Sequence, residues 1–125
     1  MRARERAVSL DHVQIAAPPR SEAAAREFFG SLLGLTEIRK PAGLTARGGV
    51  WFELTNGQLH VGVAEPFRAA TKAHPALELA SLQELQALAA LLAERGFAVE
   101  WDTSIPSVRR FFTTDPWGNR IEFMA

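Results

Sequence analysis

The same order of elements can be read twice along this chain: a strand, a helix, then three strands. In the first copy, residues 8–65, Val8 to Ala17 alternates as a strand, with Val13 and Ile15 on one face and His12 and Gln14 on the other. Pro18-Pro19 stops it. Ser21 is placed to cap a helix from Glu22 to about Leu33, and Gly34 to end it. A short strand near Leu35 to Arg39 follows, then the irregular stretch Pro41 to Gly49. Val50 to Leu54 and Leu59 to Val63 are predicted to form a hairpin about Asn56-Gly57 with a type I′ turn. The second copy occupies residues 74–124. Pro75 to Leu79 is strand-like, and Ser81 caps a helix to about Arg95 whose Leu82, Leu85, Leu88, Ala89 and Leu92 recur at helical spacing. Gly96 stops it, Phe97 to Trp101 and Val108 to Thr113 read as strands, and Asp115-Pro116-Trp117-Gly118-Asn119 turns into the last strand. Glu65 to Ala73 links the copies. Two such copies make residues 1–125 one α+β domain.

Bulk properties bound what such a domain can do. At 125 residues and 47% apolar content it can bury a core unaided. Fourteen basic and fourteen acidic residues leave no excess charge to hold a nucleic acid or an anionic membrane, so neither is an expected partner. There is no cysteine, which excludes disulfides, thiolate ligands and cysteine nucleophiles and fits a cytoplasmic location. No apolar stretch approaches the roughly 20 residues that cross a bilayer.

The chemistry is concentrated in four residues. His12 and His74 open the two copies; His60 and Glu122 sit in their closing strands. In each of these strands the candidate ligand faces away from most of the large aliphatics, so a sheet packing its apolar face on the helices presents all four on its open face. If the copies fold alike, a pseudo-two-fold axis brings three imidazoles and one carboxylate to a common point. That donor set suits a divalent first-row metal such as zinc, nickel, iron, manganese or cobalt. Taken singly, each histidine is as well explained as a structural residue: His60 beside Trp51, His74 as a strand-entry feature, and Glu122 as a partner of Arg120. Around them, Gln14 shares the face of His12. Either Arg109 or Arg110, adjacent on a strand, can face the cleft and hold a substrate anion. Glu53 is a second candidate base. Trp51, Trp101, Trp117 and the phenylalanines are candidates for an apolar wall against a flat ligand.

Three segments resemble the vicinal oxygen chelate superfamily, the glyoxalase/bleomycin resistance/dioxygenase group. They are Leu10-Asp11-His12-Val13, the helix and "LGL" of Phe28 to Leu35, and the "DPxGNxxE" pattern of Asp115 to Glu122. The resemblance spans Leu10 to Met124. It implies two βαβββ modules forming a curved mixed sheet around a metal cleft, with helices on the outer face. It also implies that His12, His60, His74 and Glu122 hold the metal. Dioxygenases of the group use three ligands, an acid-base histidine and often a tyrosine; this chain has no tyrosine and no fourth histidine. Thiol transferases of the group use a three-ligand site. Its glyoxalase-like enzymes stabilise an enediolate or enolate, and the expected activity is of that lyase or isomerase type. Glu122 would then serve as a ligand that loosens to become general base, with Gln14, Trp51 and Arg109 or Arg110 holding a small-molecule substrate. The alternatives are a bleomycin-resistance-type binding protein without turnover, and a dioxygenase or thiol transferase of the same group. A homodimer with sites shared between chains is expected, His12 and His60 of one chain meeting His74 and Glu122 of the other.

Overall fold

A computed structural model describes Arg4 and residues 6–125. The first half contains β1 (His12–Ala17), α1 (Glu22–Ala25) widening into a π-helix (Arg26–Leu32), β2 (Thr36–Ile38), a 3-10 helix (Ala42–Arg47), β3 (Val50–Leu54) and β4 (Gly57–Val63). The second contains β5 (Ala76–Glu78), α2 (Leu82–Glu94), β6 (Glu100–Asp102), β7 (Arg110–Thr114) and β8 (Arg120–Met124). The strands form two four-stranded sheets, ordered β1-β4-β3-β2 and β5-β8-β7-β6, and they do not close into a barrel. In each sheet the first strand pairs parallel with the last, and the remaining pairs are antiparallel. The α+β architecture expected from the repeated order of elements is therefore present.

Alternation fixes which face is which. Ile15, Ala17, Phe52, Leu59 and Val61 point to the core from the first sheet; Phe111, Ile121 and Phe123 do so from the second. Phe28 and Phe29 from the π-helix, with Leu85, Ala89 and Leu92 of α2, complete one continuous core. Phe28 meets Phe97 at 5.0 Å between ring centroids, joining the halves through their helical layer. Each fully buried phenylalanine contributes about 1.5–3 kcal/mol through the water it leaves behind.

A second joint is polar. Asn119, 2% exposed, donates through Nδ2 to the Ala16 carbonyl at 2.8 Å and to Asp115 at 2.8 Å, and accepts from the Ala70 N–H at 2.9 Å. One side chain thus ties β1, the linker and the last turn together. Asp115 in turn accepts from the Trp117 and Asn119 amides, and burial pushes its carboxyl pKa up against those bonds.

Several local expectations are corrected. β1 starts at His12, leaving Val8 and Leu10 exposed outside it. Ser21 makes no capping bond and its buried hydroxyl has no partner among the described residues, whereas Ser81 Oγ accepts from Glu84 N–H at 3.1 Å. The first helix is mostly π-wound rather than α. Pro41 to Gly49, read as irregular, holds the 3-10 helix. The hairpin turns at Thr55-Asn56, because Leu54 pairs with Gly57, and no residue there has positive φ, so it is not a type I′ turn. β6 and β7 each lie later than expected. No helix among the described residues is long and apolar enough to cross a membrane.

Candidate functional site

On the open face of the first sheet, β1, β4 and β3 place Gln14, His60 and Trp51 side by side in one row. Trp51 and His60 stack at 3.7 Å and 4° between planes, and His12 stacks on the other face of His60 at 4.2 Å and 14°. His60 is buried by its neighbours, while His12 remains about half exposed. His12 Nδ1 donates to Asp11 at 2.9 Å, and His60 Nε2 donates to the Gln58 side-chain oxygen at 2.8 Å. Both acceptors are oxygens, so in a neutral ring the other nitrogen keeps its lone pair. Burial lowers the His60 pKa, the neighbouring His12 lowers it further, and Asp11 opposes them. The neutral imidazole that results is the form that binds metals.

The second sheet carries the other pair. His74, just ahead of β5, has Nδ1 2.7 Å from the Lys72 carbonyl and Nε2 3.0 Å from Glu122 Oε1. A carbonyl only accepts, so Nδ1 is the donor there. The Nε2 to Oε1 contact then requires a proton on one of the two atoms, and a bound cation would stand in for that proton. Glu122 is 6% exposed, and its Oε2 accepts from Arg110 Nη1 at 3.3 Å. Arg110 is itself gripped by Asp102 Oδ2, from Nη2 at 2.6 Å and Nε at 3.1 Å. The backbone N–H and hydroxyl of Ser104, followed by Arg110, hold the Asp102 pKa below its ordinary value.

Each predicted residue therefore has a definite place. The structure brings His12 to His60 and His74 to Glu122. It does not bring the pairs together: among the described residues, no three His, Asp or Glu side chains form a metal-binding group. Arg110, not Arg109, faces the site; Arg109 is exposed in a cleft with Trp101 beside α2. Arg120 lies over the Phe112 ring at 4.0 Å rather than pairing with Glu122. Glu53 is exposed on the open face. The expected three-tryptophan wall is absent, since Trp117 packs toward Phe29 and Trp101 against Phe111, leaving Trp51 alone beside the histidines. Sequence reading missed Asp102, Asp11 and Gln58 as supports. The first is signalled only by the Asp102–Arg110 register of β6 and β7.

The donor set, imidazole nitrogens and one carboxylate with second nitrogens fixed by oxygen acceptors, fits a divalent cation. It does so as two half-sets on two sheets.

The sequence matches the model of the family described as Glyoxalase/Bleomycin resistance protein/Dioxygenase superfamily over residues 9–123. A crystal structure of a glyoxalase family protein from Bacillus anthracis is 43% identical, with a TM-score of 0.90 and 98% of each chain covered. A lactoylglutathione lyase from Agrobacterium tumefaciens is 16% identical, with a TM-score of 0.72 over 96% of this chain and 95% of its own. A glyoxalase/dioxygenase from Nostoc punctiforme is 22% identical, with a TM-score of 0.73 over 93% and 89%. At those identities the last two share the fold alone. No curated protein matches the chain.

Proposed function

Because the chain belongs to the glyoxalase/bleomycin resistance protein/dioxygenase superfamily, we propose that it is a divalent-metal enzyme of glyoxalase type. It moves a proton beside the carbonyl of a small oxygen-bearing molecule. The observation that carries this reading is the convergence of His74 Nε2 and Glu122 Oε1, with Arg110 occupying the other carboxylate oxygen. A carboxylate fixed at one oxygen and turned to an imidazole at the other is oriented both to bind a cation and to act as a base. The metal would be held by His12, His60, His74 and Glu122.

When bound, the metal supplies Lewis acidity for the carbonyl oxygen and for the negative charge that develops as the adjacent proton leaves. The chain's own residues do the rest. Glu122 takes the proton on Oε1 and returns it, while the Arg110 bond at Oε2 keeps the carboxylate aimed. Asp102 fixes Arg110, and Gln14 and Trp51 orient the substrate on the histidine side.

No three of the candidate donors form a metal-binding group among the described residues of one chain, and we infer a two-fold dimer with shared sites, in which His12 and His60 of one chain face the partner's His74 and the partner's Glu122. Two-fold closure of one self-complementary face builds two such sites at once. The test is complementation. His12→Ala and Glu122→Ala are each expected to be inactive, and unfolding and refolding them together is expected to yield mixed dimers. Shared sites give one intact site per mixed dimer and recovered turnover of 2-oxoaldehyde–thiol adducts or acyl-CoA epimers. No recovery in demonstrably mixed dimers overturns the sharing. Elemental analysis finding no metal in the purified wild type, and no metal-dependent ligand affinity, overturns the enzyme reading in favour of a binding protein.

A further inference from the structure

One cavity on the open face of the first sheet lies beside the histidine stack and carries two cations, Lys40 and Arg47, that have no part in the reading above. It encloses about 230 Å³, floored by Gln14, Trp51 and Gly62 and walled by Lys40, Leu44 and Arg47. Because Gln14, His60 and Trp51 share a row, the cavity borders the stacked rings directly. Among the described residues, two cations line it and no acidic residue does. Lys40 donates to the Gly48 carbonyl, which holds its ammonium at the rim. The Glu22 carboxylate, whose charge Lys40 helps to favour, is turned to the Gly49 N–H and does not line the cavity.

The floor is built for close contact. A Cβ at residue 62 would stand 2.8 Å from Gln14 Cδ and 3.0 Å from each of its amide heteroatoms. The Gln14 carboxamide therefore lies across bare glycine backbone, where it offers both a donor and an acceptor beside the two cations. The volume admits a charged group and a few attached atoms.

We propose that this cavity binds the anionic end of the substrate, a carboxylate or a phosphate, through Lys40 and Arg47, with Gln14 hydrogen-bonded to the same group. The substrate class is thus a small acid whose carbonyl end extends past Trp51 toward His60 and His12; only that direction rests on the enzyme reading above. Arginine meets either anion through two parallel N–H donors, and lysine adds a point charge.

The experiment titrates metal-free, full-length protein separately with succinate and with inorganic phosphate, followed by calorimetry and by amide shifts in nuclear magnetic resonance. The expected result is binding of at least one anion, weakened roughly tenfold or more by Lys40→Met and by Arg47→Gln. The tighter anion identifies the group. Gly62→Ala, which changes no charge but drives the Gln14 amide into the cavity, is expected to weaken the same binding. Binding of neither anion, or binding that both charge variants leave untouched, overturns the proposal. Metal content and metal uptake are measured separately, on wild-type protein as purified. Metal present without anion binding removes the subsite and leaves the enzyme reading, whereas anion binding by protein that never takes up metal removes the enzyme reading and leaves the subsite.

Discussion

Glu122 divides its two oxygens between different tasks, and this division makes its role separable from mere occupancy of the site. His74 meets Oε1 and Arg110 meets Oε2. Glu122→Gln keeps the volume and one oxygen but loses the basic charge, so metal content should largely persist while turnover falls by roughly 10²–10⁴-fold. Loss of metal together with activity in this variant would instead make Glu122 chiefly a ligand. Arg110→Met leaves Oε2 without its donor, in a site where Glu122 is 6% exposed. Turnover should fall while metal content remains within the 10–100-fold affinity loss usual for a support residue, as elemental analysis and metal titration would show. Strand alternation alone put His12, Gln14 and His60 on one face, because a period of two leaves a side chain no third direction. It could not show that His12 reaches across to stack on His60, nor that Asp102 grips Arg110, since both depend on cross-strand register.

At the scale of elements, two serines with similar settings behave differently. Ser81 is extended, at φ −154° and ψ 161°, and caps α2; Ser21, at φ −103° and ψ 1°, caps nothing. Glu22 reaches instead to the Gly49 N–H at 2.8 Å, pinning the end of the 3-10 segment to the start of the first helix. Gly49 is itself held at φ +87°, and a Cβ there would meet the Val61 carbonyl oxygen at 2.2 Å. Gly49→Ala should cost at least about 1–3 kcal/mol of unfolding free energy in denaturant titration, since it adds a backbone clash to an unfavourable φ. Glu22 carries a pH signature as well. The Gly49 N–H lowers its pKa below 4.5, so the stability it contributes is present above that value and is lost as pH falls through the lowered one. The stability difference between wild type and Glu22→Gln, about 1 kcal/mol near neutrality, should vanish in acid. Helix and strand order was legible in the sequence because apolar spacing and the prolines and glycines mark it locally. The π winding of Arg26–Leu32 was not, and nothing in the residue pattern accounts for it. The turn at Thr55-Asn56 was misplaced by one residue because Asn-Gly is a strong local signal that the β3–β4 register overrides.

For the molecule as a whole, Asn119 matters more than its size suggests. Asn119→Ala strands the Ala16 carbonyl and the Ala70 N–H at the junction of the two halves. It should lower stability by about 2–4 kcal/mol and the thermal midpoint by several degrees, measured by calorimetry. The bond from Asn119 to Ala16 also spans 103 positions of chain. A ribosome adding roughly 5–20 residues per second makes β1 some 5–20 s before the residue that clasps it. β4 is made far sooner and can zip onto β1. Yet β1 is the outer strand of its sheet, and the bond that Asn119 makes to it cannot form until that residue is made. The nascent first half is therefore a sheet with an open margin, the condition in which a strand recruits a stranger. For this protein the hazard of misassembly is concentrated in the seconds before its last turn is made.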